Sequence, residues 1–380
     1  SELHPGHVSV VMAMGDSITA AFGAGTGTKA ALENRVLSFS GGAGSVDHAT
    51  MPFFLHRYNT SLYGASVGVH RMELPVNSGM FWGLLDGYSY PTMDNLNAAL
   101  SFAHSWHLLQ EVAHLRELSK AVPDFEARWK VLTIMIGAND LSHPDACRSH
   151  AESVGIANEL GAQLDTVLNE IVQSFDRIFV NLVGLPRLTE LAAQVGRNAR
   201  CFIERPLTQQ EVSCLVHSTN ESLAFFAESE RLVDIKIREV ASKYNHFTPN
   251  HAVVYHGLFR NAALPNLDWV SWDCVHPSAM AQRVAGTLLW NSMLATTEQK
   301  ESINVTSAPV PSCPTAHSVF YSDELPAPGQ LSSARYEVSA WTIVATSVAV
   351  AVSVGLAALG ARRLAGGRLS GHRTDLRTEF

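Results

Sequence analysis

Ser17 stands in the run Met14-Gly15-Asp16-Ser17-Ile18-Thr19-Ala20, directly after a valine-rich apolar stretch. Open α/β sheets collect catalytic groups where a buried strand gives way to a helix, although serine at a helix start is also an ordinary cap. A serine hydroxyl is a weak nucleophile until a neighbouring base takes its proton. Far along the chain, Trp272-Asp273-Cys274-Val275-His276-Pro277 supplies a carboxylate and an imidazole three residues apart. On a turn, that spacing lets Asp273 hold one ring nitrogen of His276 while the other faces a serine. A third run, Ile136-Gly137-Ala138-Asn139-Asp140-Leu141, puts the Asn139 amide after another strand-like stretch, as a donor to charge developing on an acyl oxygen. Taken singly, the three runs read as a cap, a chance Asp-x-x-His among 17 histidines, and a turn. Taken together, they describe nucleophilic hydrolysis of an ester.

These groups need a sheet to hold them. Short apolar runs rich in β-branched residues predict strands at 8–14, 131–137, 178–185 and 252–256, with a fifth near 61–68. Apolar spacings of three and four predict helices over 95–120, 157–175, 214–244 and 278–293. Strands alternating with long helices imply a parallel sheet covered on both faces, a three-layer α/β/α domain over residues 1–295. The Gly-rich tracts at 23–27 and 41–44 lack a phosphate-loop lysine and read as loops around the site. His104 and His107 share a helical spacing without nearby carboxylates, which reads as a solvated face rather than a metal site.

Gly15-Asp16-Ser17-Ile18, Gly137-Ala138-Asn139-Asp140 and Asp273-Cys274-Val275-His276-Pro277 resemble blocks I, III and V of the SGNH (GDSL) hydrolase superfamily. More narrowly, the runs that begin at Val10, Arg35, Trp129 and Asn181 resemble the membrane-associated phospholipase B family, a likeness extending over residues 4–314. The resemblance implies a flavodoxin-like sheet, hydrolysis of glycerophospholipid and lysophospholipid acyl esters, no metal or organic cofactor, and a C-terminal membrane anchor. It makes Ser17 the nucleophile, His276 the general base and then acid, and Asp273 the residue that orients His276. Asn139 and the backbone N–H of Ser17 become oxyanion donors. The family's second block adds a Gly N–H; here 96–103 lines up with that block and Phe102 falls at the Gly position, leaving a third donor to the Phe102 backbone. The resemblance also implies a Cys274–Cys313 disulfide, with Cys201–Cys214 second and Cys147 left over. Other superfamily members cleave glycan acetyl or short-chain esters, and a catalytically silent surface ectodomain would keep the same fold. Intact Ser17, Asn139, Asp273 and His276 favour an enzyme.

A net charge of −8 and the lack of a basic stripe exclude a nucleic-acid partner. None of the five cysteines has the paired short spacing of a zinc site, so disulfides are the preferred reading. Sequons at Asn59, Asn220 and Asn304 fit glycosylation of a secreted domain. Residues 296–337, rich in Ser, Pro and Thr, read as a linker, and 338–361 form an uncharged run of roughly 36 Å as a helix, long enough to cross a bilayer. Arg362 and Arg363 open an Arg-rich tail over 362–380. The positive-inside rule then predicts a single-pass type I protein of the cell membrane, its catalytic domain extracellular or lumenal and its tail cytoplasmic.

Overall fold

The computed structural model of the chain describes residues 3–76, 87–195, 219–245, 248–259, 267–301 and 309–321. Four parallel strands, β1 (Val8–Gly15), β2 (Trp129–Met135), β3 (Ile178–Val183) and β4 (His251–His256), pair in the order β1-β2-β3-β4. Between and after them come α1 (Met51–His56), α2 (Pro91–Asp94), α3 (Leu108–Ser119), α4 (Ala138–Leu141), α5 (His150–Ser174), α6 (Leu188–Val195), α7 (Asn220–Tyr244), α8 (Ala279–Met293) and α9 (Thr297–Glu301).

Alternate strand residues feed two separate cores. Val10, Met12, Met14, Leu132, Ile134, Val180 and Leu182 pack with Leu115 of α3, Leu164 of α5 and Ile237 of α7. Val11, Val131, Met135, Phe179, Val183 and Val254 pack on the opposite face with Leu55 of α1 and Leu289 of α8. Each such fully buried aliphatic side chain contributes about 1.5–3 kcal/mol relative to exposure. Covering both faces makes the domain three layers deep, and every residue of β3 is buried. Side-chain caps start the long helices: Ser149 accepts from the N–H of Glu152, Thr219 from Ser222 and Ser278 from Ala281. The Ser149 cap is why α5 begins at His150 rather than at 157.

The outer edge of β1 departs from the sequence reading. Residues 61–68 form no regular strand and 95–104 no helix, with only a single 3-10 turn at Ser105–His107 before α3. Instead Val11 N–H donates to Tyr63 O (2.9 Å) and Ala13 N–H to Leu96 O (3.0 Å), while Ala13 O and Gly15 O accept from Ala98 N–H (2.9 Å) and Leu100 N–H (3.0 Å). Leu96, Ala98, Ala99 and Leu100 are buried because they flank the sheet, and their spacing mimics a helical stripe.

Residues within the expected linker also belong to the fold. The compact unit runs from Ser1 to Leu325. Phe320 is fully buried in the α8-side core, its N–H donates to Leu3 O (2.9 Å), and Trp290 Nε1 donates to Ser312 O (2.9 Å). The expected membrane span, 338–361, lies outside the described residues; among the described residues no helix is long and apolar enough to cross a membrane.

The cysteines correct the implied pairing. Cys147 and Cys274 each take part in a disulfide, whereas Cys313 is exposed and free, so Cys274 and Cys313 do not pair and Cys147 is not the one left over. Cys274 precedes the start of α8, but Ser312 is tied to Trp290 and Asn291 near its other end, roughly 18 Å away along the helix. A disulfide tolerates Cα atoms only about 4.4–6.8 Å apart. Cys201 and Cys214 lie outside the described residues.

Candidate active site

The C-terminal ends of β1 and β2 bring the distant runs together. Gly15 ends β1 at φ +144, where an added Cβ would lie 2.2 Å from Met135 O, and its N–H donates to the buried Glu111 of α3 (2.7 Å). Strand geometry stops there, and Asp16 Oδ1 caps the following turn by accepting from Ile18 N–H (2.9 Å). The turn does not continue into the helix expected after Ser17: Phe22 N–H bonds Ser17 O (2.9 Å), and Ala21 is left-handed at φ +53.

The second segment is a loop closed on itself. Asp273 Oδ1 accepts the N–H groups of Val275 and His276, both at 3.0 Å, across Cys274, which is left-handed at φ +62. Asp273 Oδ2 accepts from His276 Nδ1 (2.6 Å), so His276 Nε2 is left to accept from Ser17 Oγ (2.8 Å). Burial raises the pKa of Asp273, but the facing His276 and these hydrogen bonds outweigh it and hold the carboxylate below its ordinary value. Ser271 and Trp272 tie the loop to the 23–30 tract through Gly23 O and Ala30 O. Gly23, at φ +74, permits the approach, since a Cβ there would meet Ser271 Oγ at 2.8 Å.

Asn139 lies in α4, whose cap Gly137 has φ +119. One amide proton of Asn139 Nδ2 goes to Ala103 O (2.8 Å), and an amide carries two. Next to it, buried Asp140 accepts from both the N–H (3.1 Å) and the hydroxyl (2.5 Å) of Ser105. Phe102 adopts φ +64, the left-handed region that glycine prefers. Among the described residues, neither the N–H of Ser17 nor that of Phe102 donates to another protein group. His104 N–H donates to His107 Nδ1 (3.0 Å), so these two histidines cap a short turn instead of forming a helical face.

A cavity of about 120 Å³ opens beside Ser17 and His276, with walls that include Phe39, Met135, Leu188, Leu191, Phe259 and Trp269. Several supports were not apparent from sequence. Phe22 packs edge-on against the His276 ring with centroids 4.9 Å apart, and Gln282 joins Ile18 O (2.8 Å) to Phe39 N–H (3.0 Å). Burial raises Asp16 to about 7 against the opposing Ile18 N–H and His276, and burial raises Glu111 well above the carboxylate range. Of the sequons, Asn220 is exposed, Asn59 is half-buried and donates to Val8 O (2.9 Å), and Asn304 lies outside the described residues.

A serine, an imidazole and a carboxylate in series beside an apolar cavity, at the edge of a parallel sheet, is an arrangement able to activate a serine for attack on an acyl ester. Residues 11–289 match the family model for GDSL-like lipase/acylhydrolase, and the chain belongs to that family of ester hydrolases. Its relatives include proteins named membrane-associated phospholipase B1 from Rattus norvegicus, 27% identical over 326 residues, and Mus musculus, 28% identical over 324. Each match covers 80% of this chain and 20% of the relative, so the chain spans about a fifth of the length of those proteins. Among solved structures, phospholipase A1 from Streptomyces albidoflavus NA297 is similar at TM-score 0.40 and 16% identity, over 74% of this chain and 97% of that one. An extracellular lipase from Streptomyces rimosus gives TM-score 0.37 and 15% identity with the same coverage.

Proposed function

We propose that the chain hydrolyses acyl esters of glycerophospholipids and lysophospholipids. The observation that carries this reading is the series Ser17 Oγ, His276, Asp273, with links of 2.8 and 2.6 Å, opening on a cavity with apolar walls. Ser17 Oγ attacks the ester carbonyl carbon as its proton passes to His276 Nε2, and Asp273 stabilises the resulting imidazolium. The oxyanion takes hydrogen bonds from the N–H groups of Ser17 and Phe102 and from the second Asn139 amide proton. His276 returns its proton to the departing glycerol oxygen as the C–O bond breaks. Water, deprotonated by the same imidazole, then releases the fatty acid and restores Ser17. An acyl chain suits the apolar walls because each methylene buried there adds about 0.8 kcal/mol.

Ser17→Ala and His276→Ala are expected to abolish fluorophosphonate labelling or turnover of lysophosphatidylcholine with the melting temperature retained. Asn139→Ala is expected to lower kcat about 10²–10³-fold with KM little changed. Wild-type turnover by Ser17→Ala would refute the mechanism, and a panel in which acetyl esters are cleaved far faster than long-chain phospholipids would refute the substrate class.

The same reading places the domain outside the cell with 338–361 crossing the membrane, 362–380 in the cytoplasm, and glycans at Asn59, Asn220 and Asn304. Its support is the uncharged run followed by arginines. A chain ended after Leu325 and given a secretion signal is expected in the medium as an active glycoprotein, while the full chain needs detergent for extraction. Release of the full chain by alkaline carbonate alone would overturn this topology.

A further inference from the structure

A buried ionic cluster lies outside the serine relay. Arg35 is fully buried, and its guanidinium reaches Glu33 Oε2 at 2.8 Å, Glu73 Oε2 at 3.2 Å and Asp94 Oδ1 at 3.2 Å. His70 Nε2 meets the same Asp94 oxygen at 2.6 Å. Desolvating such charges costs several kcal/mol per ion, and paired charges in a core often stabilise no better than apolar residues would. The other groups that the cluster holds are therefore informative.

They belong to one segment of main chain. Arg35 Nη1 donates to Asn97 O and Nη2 to Ala99 O, both at 2.6 Å. Ser101 Oγ donates to Glu33 Oε1 (2.6 Å), and Ser101 N–H donates to Glu73 O (2.8 Å). Residues 97, 99 and 101 are thus fixed by the cluster, while Ala98 and Leu100 are fixed by β1. The next residue is Phe102, left-handed without being glycine and with its N–H unengaged among the described residues. Beyond it, Ala103 O is held by Asn139 and Ser105 by Asp140.

Resting on the acyl-transfer reading above, we propose that Arg35, with Glu33 and Ser101, positions the oxyanion hole: the cluster locks 97–101 so that Phe102 keeps its strained conformation and its N–H stays aimed for the developing charge. A planar guanidinium with five N–H donors can hold two carbonyls and several carboxylates at once, which an ammonium cannot. Without the lock, a non-glycine residue would relax out of the left-handed region and carry the donor away.

The test compares Ser101→Ala, Glu33→Gln and Arg35→Lys in the full chain, using p-nitrophenyl butyrate as substrate and a trifluoromethyl ketone as transition-state analogue. Positioning predicts that kcat falls about 10–100-fold, short of the roughly 10²–10³-fold for loss of a whole donor, while KM stays within about twofold. Analogue affinity should fall in parallel with kcat. Ser229→Ala removes a buried hydroxyl bonded to Ala146 O and Ser153, and is expected to lower the melting temperature with kcat unchanged. If Arg35→Lys fails to fold, the other two variants decide. Wild-type kcat in Ser101→Ala and Glu33→Gln, or a fall in kcat with analogue affinity intact, overturns the proposal. Ser17→Ala in the same assay separates the failures: activity there refutes the hydrolase site, whereas its loss beside a fully active Ser101→Ala refutes only the positioning role.

Discussion

Phe102 joins two requirements that rarely meet in one side chain. Its position supplies a backbone donor, and its φ of +64 is one that an L-residue occupies at a cost of about 1–2 kcal/mol. Phe102→Gly removes that cost and keeps the N–H, so kcat is expected within about threefold of wild type; Phe102→Ile, β-branched and poorly tolerated at positive φ, is expected to lower kcat about tenfold or more. Steady-state kinetics on both variants checks the pair. Ser17 and Asn139 could be singled out from sequence because each follows a strand-like run, and Asp273 and His276 because their spacing of three fits one closed loop. The conformation of Phe102 could not, since an aromatic side chain gives no sign of left-handed backbone. Nor could the Arg35 cluster, whose members from Glu33 to Ser101 follow no period and meet only through irregular chain.

At the scale of elements, the end of β1 rests on carboxylic acids. Asp16 follows it, Glu111 of α3 holds its last N–H, and Asp140 of α4 adjoins it, all buried. Burial raises Asp16 from an ordinary 3.8 to about 7, so the folded state binds its proton more tightly than the unfolded chain does. The stability this gives is complete below about pH 3.8 and is lost as pH rises through about 7. Melting temperature is therefore expected to fall between about pH 4 and 7, and Asp16→Asn should flatten that slope; parallel slopes would show that Asp16 does not titrate there. The central strands were legible because they are buried apolar runs. Residues 95–104 were misread because burial beside β1 imposes the same apolar recurrence as a helix face while the backbone bonds run to Ala13 and Gly15.

At the scale of the molecule, the folded unit extends past α8 and α9. A Ser, Pro and Thr composition suggested a free linker, but one aromatic residue is enough to seat a polar segment, and Phe320 fills a gap between Trp290 and Phe179. Phe320→Ala should cost about 3–5 kcal/mol in urea denaturation, with an unchanged denaturant slope. A loss below about 1 kcal/mol would mean that the segment is not part of the cooperative unit. The hydrogen bond from Phe320 to Leu3 also has a mechanical meaning. It holds Leu3, five residues before β1, beside a segment that follows the last helix, so two distant stretches of chain are clasped at one point. A pull applied at Leu3 and Phe320 is therefore expected to part that clasp before it reaches Ser17 at the end of β1 and His276 in its closed loop.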